Sequence, residues 1–302
     1  MNRVPPIFKN PVFQQQFDTD GYIKLELLDA ADIASLSALF SEYFPNPSTD
    51  FFSSSYENDF ELKKKISNAI GEIMQPKLET VFNNYTWFGS AFLSKGNGAR
   101  SEMPMHQDWT IVDETTYIAI NVWTPLQDTN EVNGTLEVIP GSHKWHSVLR
   151  APTLPFYYNG YQEKLKQKLV PLPAKAGEAV VLNQAVIHYS KPNKTDLIRV
   201  AITSGVKTKN APMLFHYWDK NKPDEIEQFI QDDDFLIRFT EFHSSIFKRP
   251  AFGQSNGTRP FIMQQPGEKE IEALTGVSMT TPHTAMPKEK TIGQKILAWI
   301  TR

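Results

Sequence analysis

Short segments with strand-like sequence follow one another through the middle of the chain, and this pattern restricts the possible folds more than any other feature. Between residues 85 and 218, runs rich in β-branched and aromatic residues alternate with turn sequences such as Asn133-Gly134. Glycine, asparagine and proline at such points favour tight turns between strands. Closely spaced short strands are typical of a sandwich or barrel, whereas a parallel sheet would need helices between them. We therefore predict a mainly β core.

The segments on either side of this core have the periodicity of helices. In residues 1–84, apolar side chains recur at intervals of three and four residues, and residues 219–302 have a similar character, most clearly in Pro223–Phe247. Such spacing predicts helices with one buried face. An insertion at 147–175 interrupts the strands, and its aromatic residues suggest a lid over a binding site. We expect a single domain, 1–302, in which a helical N-terminal part and a helical C-terminal extension flank the β core.

The composition of the 302 residues excludes several kinds of function. With 31 Lys and Arg residues against 34 Asp and Glu residues, the net charge is −3, which argues against a strongly basic face for nucleic acid. The chain has no cysteine, so disulfides, thiolate metal sites, iron–sulfur clusters and cysteine nucleophiles are excluded. A cysteine-free chain suits a reducing compartment, and we expect a cytoplasmic protein that binds a small molecule.

No segment has the features of a membrane or targeting element. Prolines and polar residues interrupt the N-terminal stretch, so no signal peptide is expected. Nowhere do about 18 apolar residues follow one another, as a spanning helix would need. The amphipathic stretch Thr291–Ile300 is expected to pack as a helix on the body of the protein. We therefore predict neither a membrane partner nor a nucleic-acid partner.

The tripeptide His106-Gln107-Asp108 is the strongest candidate for a metal site. In an extended segment, residues two apart point to the same face, so the imidazole and the carboxylate would converge. One further histidine would complete a facial triad of two histidines and one carboxylate, which leaves three positions of an octahedral Fe(II) open. The tripeptide alone is a weak signal, and a hydrogen-bonded surface pair is the alternative.

A second pair of residues, His188 and Arg199, strengthens this interpretation. His188 follows an apolar run, and Arg199 stands 11 residues later between Ile198 and Val200, on what we interpret as the second arm of a hairpin. A guanidinium buried in an apolar strand is costly unless it is paired with an anion. That anion is either a carboxylate of the protein or a carboxylate of a ligand, which arginine binds in a bidentate manner.

Taken together, these motifs resemble those of the phytanoyl-CoA dioxygenase (PhyH-like) family of Fe(II)/2-oxoglutarate-dependent oxygenases. The similarity extends over about residues 15–205 and lies in five segments: FDTDGYIKLELLDAADIASL, HQD, INVWTPLQDT, NGTLEVIPGSHKW and IHYSKPNKTDLIRVAI. The resemblance implies a double-stranded β-helix (jelly-roll, cupin-like) core with iron at one open end. It also implies Fe(II), 2-oxoglutarate and O2 as cofactor and cosubstrates. The expected activity is hydroxylation, or another oxidation, of an unactivated C–H bond, with release of succinate and CO2.

The resemblance also assigns roles to individual residues. It implies that His106, Asp108 and His188 bind the iron and that Arg199 holds the distal carboxylate of 2-oxoglutarate. Residues expected to contact the cosubstrate are Gln107, Trp123 and Ser190. Strand parity and position add Asn121 and Thr135, for which a plain structural hydrogen bond is an equal alternative. Residues in segments that could face the substrate are Arg100, Trp109, Arg150 and Tyr157.

Three alternatives stay open. Related halogenases have glycine or alanine in place of the carboxylate, so the presence of Asp108 favours hydroxylation over halogenation. A non-catalytic metal-binding protein is a second possibility, and a cupin-like enzyme that does not use 2-oxoglutarate is a third, although neither would need Arg199. For His143 and His146, which have the spacing of a metal-ligand pair, a role in the turn after Pro140 is the better interpretation.

Overall fold

The structure, a computed structural model, describes residues 5–278 of the chain. The helices of this part are α1 (Pro11–Asp20), α2 (Ala30–Tyr43), α3 (Phe60–Val81), α4 (Gln162–Leu165), α5 (Phe235–Arg238), α6 (Phe242–Ser245) and α7 (Glu268–Thr275). The strands are β1 (Tyr22–Glu26), β2 (Phe51–Ser53), β3 (Tyr85–Lys95), β4 (Met103–His106), β5 (Ala119–Pro125), β6 (Leu136–Val138), β7 (Val170–Leu172), β8 (Glu178–Asn183), β9 (His188–Ser190), β10 (Arg199–Thr208), β11 (Met213–Tyr217), β12 (Glu225–Gln231) and β13 (Gln254–Pro260).

Two antiparallel sheets form the core. The larger sheet has the strand order β1-β8-β5-β10-β3-β2, and the smaller has the order β4-β9-β6-β7. Trp123 and Leu182 of the larger sheet pack in one buried cluster with Leu136 and Val138 of the smaller. Strands that are close in space are therefore far apart in sequence, as in a jelly roll. The predicted jelly-roll core with flanking helices is confirmed.

The N-terminal helices cover the outer face of the larger sheet. Asp59 caps α3 by accepting a hydrogen bond from the Leu62 backbone N–H, which satisfies a donor that a helix start would otherwise leave unpaired. The apolar face of α3, which includes Ile66 and Ile70, packs with Phe92 of β3 in the largest buried cluster. Burial of such a side chain contributes about 1.5–3 kcal/mol. The larger sheet is thus covered on one side, and its other side is left to face the smaller sheet.

The helix predicted over Pro223–Phe247 is wrong for its first part. Residues 225–231 form β12, which pairs with β11 on one side and β13 on the other. Ile226 and Gln228 are both buried, so the segment follows the two-residue period of a strand. Helix is present only in the short α5 and α6.

Other predictions about the chain have mixed outcomes. Among residues 5–278, no helix is both long and apolar enough to pass through a lipid bilayer. The helix expected at Thr291–Ile300 lies outside the described residues, and so does His283. The division into a single domain stays a prediction.

Candidate active site

Three predicted metal ligands come together between the two sheets. His106 ends β4 and His188 begins β9, and the two residues are direct partners across this antiparallel pair. Asp108 follows two residues after His106, where its backbone N–H donates to the Gln184 carbonyl over 2.9 Å. One ligand atom from each of the three side chains lies within 4.8 Å of the others. The carboxylate oxygen Oδ1 of Asp108 is 3.8 Å from Nε2 of each histidine, so one ion could be shared by all three.

Backbone carbonyls orient both imidazoles. Nδ1 of His106 lies 2.7 Å from the Pro104 carbonyl, and Nδ1 of His188 lies 3.0 Å from the Val186 carbonyl. Because a carbonyl can only accept, Nδ1 carries the hydrogen in each ring and Nε2 keeps its lone pair. Burial, together with the neighbouring His188, lowers the pKa of His106 to about 4. The ring is therefore neutral near pH 7, which is the form that binds a metal.

The carboxylate of Asp108 is held by one of its two oxygens. The side-chain amide of Asn121 donates to Oδ2 over 2.7 Å, and the Thr203 hydroxyl donates to the amide oxygen of Asn121 over 2.9 Å. Oδ1 is left to face the histidines. Asn121 was expected to contact the cosubstrate. Its observed hydrogen bond is instead with Asp108, which is the structural alternative named for it.

Arg199 is buried without a carboxylate partner among the described residues. Its side chain is 3 % exposed, its guanidinium lies over the Trp123 ring at 5.5 Å, and its single hydrogen bond is a long one, 3.3 Å, to the Gly134 carbonyl. Nε and Nη1 have no partner. Burial lowers the pKa of this guanidinium to about 9. Of the two anions considered from the sequence, residues 5–278 do not supply the protein carboxylate, so the site fits a ligand carboxylate.

Lys95 is a site residue that the sequence interpretation missed. It is the cross-strand partner of Arg199 on β3 and is completely buried. Its Nζ donates to the carbonyl and hydroxyl oxygens of Ser190, at 2.9 and 2.7 Å, and to the Lys191 carbonyl at 2.7 Å. Burial, and secondly the charge of Arg199, lower the pKa of Lys95 well below its usual value. The signal that identified Arg199, a cation at the end of an apolar strand, is also present at Lys95.

The other residues expected at the cosubstrate lie in different surroundings. Gln107, Trp123 and Ser190 line one cavity with the metal-ligand cluster. The amide of Gln107 donates to the Ala185 carbonyl over 2.5 Å, and its Oε1 is buried without a partner. Thr135 does not line the cavity, which corrects that prediction. Its hydroxyl donates to the Leu172 carbonyl over 2.6 Å, so the side chain is used to join β6 to β7.

The four residues expected to face the substrate differ in their positions. Trp109 and Tyr157 line the cavity. Arg150 borders it, but the guanidinium forms a buried ion pair with Glu114 and donates to the backbone carbonyl of Asp108 over 2.7 Å. Arg100 lies outside the cavity and pairs with Asp50 at 3.1 Å. The prediction for Arg100 is corrected, because this residue lies outside the cavity with an acidic partner. Arg150 does line the cavity and is paired there with Glu114, so its contact with a substrate stays a prediction.

The cavity that joins these residues has a volume of about 390 Å³, within the roughly 300–1,000 Å³ of typical small-molecule sites. Side chains of both sheets line it, together with the segments 149–157 and 236–247. The first of these segments belongs to the insertion predicted to act as a lid, and its movement stays a prediction. A set of two imidazoles and one carboxylate is suited to Fe(II), and Arg199, which has no acidic partner among the described residues, is suited to an anion beside it.

Comparisons with known proteins agree with this geometry. The family model described as "Phytanoyl-CoA dioxygenase (PhyH)" matches residues 17–201. The chain is 33 % identical over 135 residues to "Phytanoyl-CoA dioxygenase domain-containing protein 1" of Danio rerio, which covers 42 % of this chain and 46 % of that protein. It is 29 % identical over 123 residues to the Dictyostelium discoideum homolog of that protein, covering 38 % of this chain and 44 % of the relative. The chain thus spans less than half the length of these two relatives.

A solved structure supports the fold. The structure of HygX from Streptomyces hygroscopicus, with nickel and 2-oxoglutarate bound, has a TM-score of 0.50 to this chain at 12 % sequence identity. The similarity covers 67 % of this chain and 87 % of HygX. At this identity the similarity concerns the arrangement of strands and helices.

Proposed function

The chain belongs to the phytanoyl-CoA dioxygenase (PhyH) family, and on that premise we propose that it is an Fe(II)- and 2-oxoglutarate-dependent dioxygenase. The proposed reaction is hydroxylation, or another oxidation, of an unactivated C–H bond in a small molecule. Succinate and CO2 are the expected products of the cosubstrate. One observation carries this proposal: three metal-ligand side chains and a buried arginine without an anion line the same cavity.

In this proposal His106, Asp108 and His188 hold the iron. Nε2 of each histidine and Oδ1 of Asp108 supply three ligands, which leaves three coordination positions for cosubstrate and oxygen. Asn121 keeps Oδ2 of Asp108 occupied, so that the carboxylate binds through one oxygen. When bound, Fe(II) and 2-oxoglutarate supply the oxidising power, and the protein supplies position and protection from water.

Arg199 binds the distal carboxylate of 2-oxoglutarate. Nε and Nη1 have no partner among the described residues, so the guanidinium keeps donors for this carboxylate. Lys95 adds a second positive group on the neighbouring strand, and Ser190 holds the Lys95 ammonium by accepting a hydrogen bond from it. The Ser190 hydroxyl hydrogen is given to the Gly134 carbonyl at 2.8 Å, so its part is to position Lys95. The face of the Trp123 ring packs against the Arg199 guanidinium.

Anaerobic absorption spectroscopy tests this proposal. Addition of Fe(II) and 2-oxoglutarate to the wild-type protein should produce a weak visible charge-transfer band. The band should be lost in Asp108→Ala, which removes an iron ligand, and weakened in Arg199→Ala, which removes the carboxylate partner. Exposure to air should then release succinate from the wild-type protein.

Matched variants control for loss of folding. Asp113→Ala removes a nearby carboxylate that bonds only within its own turn, and Arg100→Ala removes an arginine outside the cavity. Both should keep the band. A metal-loaded wild-type protein that gives neither the band nor succinate would refute the proposal and favour a metal-binding protein that does not use 2-oxoglutarate.

A further inference from the structure

Much of the cavity wall consists of apolar and aromatic side chains from distant parts of the chain. Tyr56 comes from the N-terminal part, Trp109 directly follows the metal-ligand tripeptide, and the segments 149–157 and 236–247 supply most of the remainder. The last of these segments lies beyond the family match, which ends at residue 201. Part of the cavity wall is therefore specific to this chain's C-terminal extension.

Phe242 of α6 is the centre of this apolar surface. Its ring stacks on Trp109 with the ring centres 6.2 Å apart and the planes at 9°. The Phe242 ring also stacks on Tyr56, with the ring centres 4.7 Å apart and the planes at 30°. We call these three side chains the aromatic wall. Buried Lys63 of α3 fixes the segment before it by donating to the Phe239 carbonyl over 2.8 Å. This hydrogen bond thus ties the chain just before the aromatic wall to α3.

No cation is left over for the substrate among the described lining residues. Arg199 is assigned to the cosubstrate, and Lys95 already donates three hydrogen bonds to oxygen atoms of the protein. Arg150 is paired with Glu114. A substrate carboxylate or phosphate inside the cavity would have to lose its hydration without gaining a partner, which is costly.

Two buried acceptor oxygens also favour an uncharged substrate. The side-chain carbonyl oxygens of Gln107 and Gln184 are buried and have no hydrogen-bond partner among the described residues, and both side chains line the cavity. Such oxygens favour a ligand that donates a hydrogen bond, such as an alcohol, and repel a carboxylate.

We infer that the second substrate is an uncharged, mainly apolar molecule with a hydrogen-bond donor, packed against the aromatic wall. This inference rests on the proposed function for the reaction, but it concerns only what the cavity binds. Phe242 determines the fit of the apolar part, and the two glutamine oxygens receive the donor. The C-terminal extension is therefore the part of the chain that sets substrate specificity.

Competition against a neutral fluorescent probe tests the inference. The full chain, loaded with Ni(II) and 2-oxoglutarate so that no turnover occurs, is titrated with N-phenyl-1-naphthylamine, and the bound probe is then displaced. Dodecanol, dodecanoate and dodecanoyl-CoA share one apolar chain and differ in charge. Dodecanol should displace the probe at a concentration at least about tenfold lower than either anion, because an unpaired buried anion costs more than such a factor. Stronger displacement by either anion, or no saturable probe binding to the wild type, overturns the inference.

Two phenylalanine variants locate the binding surface. Phe242→Ala should weaken probe binding by about threefold to tenfold, the range that corresponds to one aromatic pair. Phe252→Ala is the matched control, since it removes a ring of the same extension that packs on Phe239 but does not line the cavity. Equal effects of the two variants overturn the role of the wall. The charge-transfer band of the Fe(II) form, measured without any second substrate, separates a failure of this inference from a failure of the proposed function.

Discussion

At the scale of single residues, Asn121 is the clearest example of a side chain that acts through a neighbour. Replacement by alanine leaves Oδ2 of Asp108 without its donor, so the carboxylate is free to turn away from the histidines. We expect Asn121→Ala to weaken Ni(II) binding by about 10–100-fold, as is usual when a partner of a metal ligand is lost. Calorimetric titration with Ni(II) measures this directly.

The control for Asn121 is another amide, that of Gln127, which lies just after the end of β5. Gln127 donates to the Ile198 carbonyl over 2.8 Å and does not line the cavity, so Gln127→Ala should bind Ni(II) as the wild type does. Thr203→Val, which frees only the far end of the Asn121 amide, should have an intermediate effect. Unchanged affinity in Asn121→Ala would show that the hydrogen bond does not position Asp108.

His216 makes stability depend on pH. The ring is 4 % exposed, and burial lowers its pKa to about 4 from the ordinary 6.5. The positive charges of Arg259 and Arg150 act in the same direction, and the Thr110 carbonyl opposes them. Between these pH values the unfolded chain binds a proton that the folded chain does not. The contribution of neutral His216 to the free energy of unfolding is therefore complete above about pH 6.5. It is lost as the pH falls toward 4, by up to roughly 3 kcal/mol.

Comparison with His216→Gln isolates this contribution. Glutamine can keep bonds to the Thr110 carbonyl and to Gln228 without titrating. Denaturant unfolding at roughly pH 7.5 and pH 4.5 should show that the wild type loses about 2–3 kcal/mol more than the variant. Equal losses in the two proteins would mean that His216 does not stay neutral in the folded state.

The residues that could be predicted from sequence are those with a local pattern. His106 and Asp108 are two apart in one segment, and His188 and Arg199 are 11 apart in the sequence. The hairpin predicted for the second pair is wrong, because β9 lies in the smaller sheet and β10 in the larger sheet. Lys95 lies in no such motif and acquires its place only when β3 pairs with β10. Asn121 was selected from the alternation of side chains along its strand. That alternation predicted the face of the sheet on which Asn121 lies, but not its hydrogen-bond partner Asp108. Hydrogen-bond partners depend on register, and register cannot be obtained from one sequence.

At the scale of elements, the C-terminal extension shows where periodicity fails. Glu225–Gln231 was interpreted as helix, although it pairs with two strands. In a segment of seven residues, apolar positions fit a period of 3.6 almost as well as a period of 2. Pairing with the neighbouring strands β11 and β13 decides between the two periods. The strand β13 follows β12 in sequence only after the stretch that contains α5 and α6. The longer helices α2 and α3 were predicted because their apolar spacing continues over several turns.

The short helix α7 is tied to the insertion through a half-buried histidine, His146. His146 Nε2 lies 2.6 Å from Oε1 of Glu270, and the Tyr158 hydroxyl lies 2.8 Å from His146 Nδ1. Because a carboxylate only accepts, Nε2 is the donor to Glu270. Glu270→Ala removes this link, so we expect faster amide hydrogen exchange in Glu268–Thr275, with little change at Asp108.

Hydrogen-exchange mass spectrometry on the wild type and two variants tests the link. Glu268→Ala, on the same helix but with no side-chain hydrogen bond found among the described residues, is the matched control and should leave the exchange of α7 close to that of the wild type. Equal acceleration by both variants would show that loss of a charge in the first turn, rather than the His146 contact, loosens the helix.

At the scale of the whole molecule, the fold explains why distant ligands meet. His106 and His188 are 82 positions apart in sequence, yet β4 and β9 are neighbours in the smaller sheet. The jelly-roll arrangement was available from the resemblance and from the many short strands. Their pairing order was not, because each of these strands is too short to indicate its neighbour. The cavity likewise needs α6 in place, since Phe242 lines it, and no local pattern predicted that this helix would do so.

Without ligands, the Arg199 guanidinium has no acidic partner among the described residues, so function and stability should oppose each other at this side chain. An unpaired buried cation costs free energy, and Arg199→Met keeps most of the volume without the charge. We expect this variant to be more stable than the wild type by about 1–3 kcal/mol in the absence of ligands. Ni(II) at about 100 times its Kd should stabilise both proteins by about 2.7 kcal/mol, a rise in Tm of several degrees.

Addition of 2-oxoglutarate then separates the two proteins. It should raise the Tm of the Ni(II)-loaded wild type further, because the carboxylate supplies the missing partner of Arg199, and it should raise the Tm of Arg199→Met much less. Arg100→Met, which removes a surface arginine paired with Asp50, should follow the wild type within about 0.5 kcal/mol. Differential scanning fluorimetry measures all of these values. A full response of Arg199→Met to 2-oxoglutarate, or its destabilisation without ligands, would mean that the buried cation is satisfied by the protein and is not the anion site.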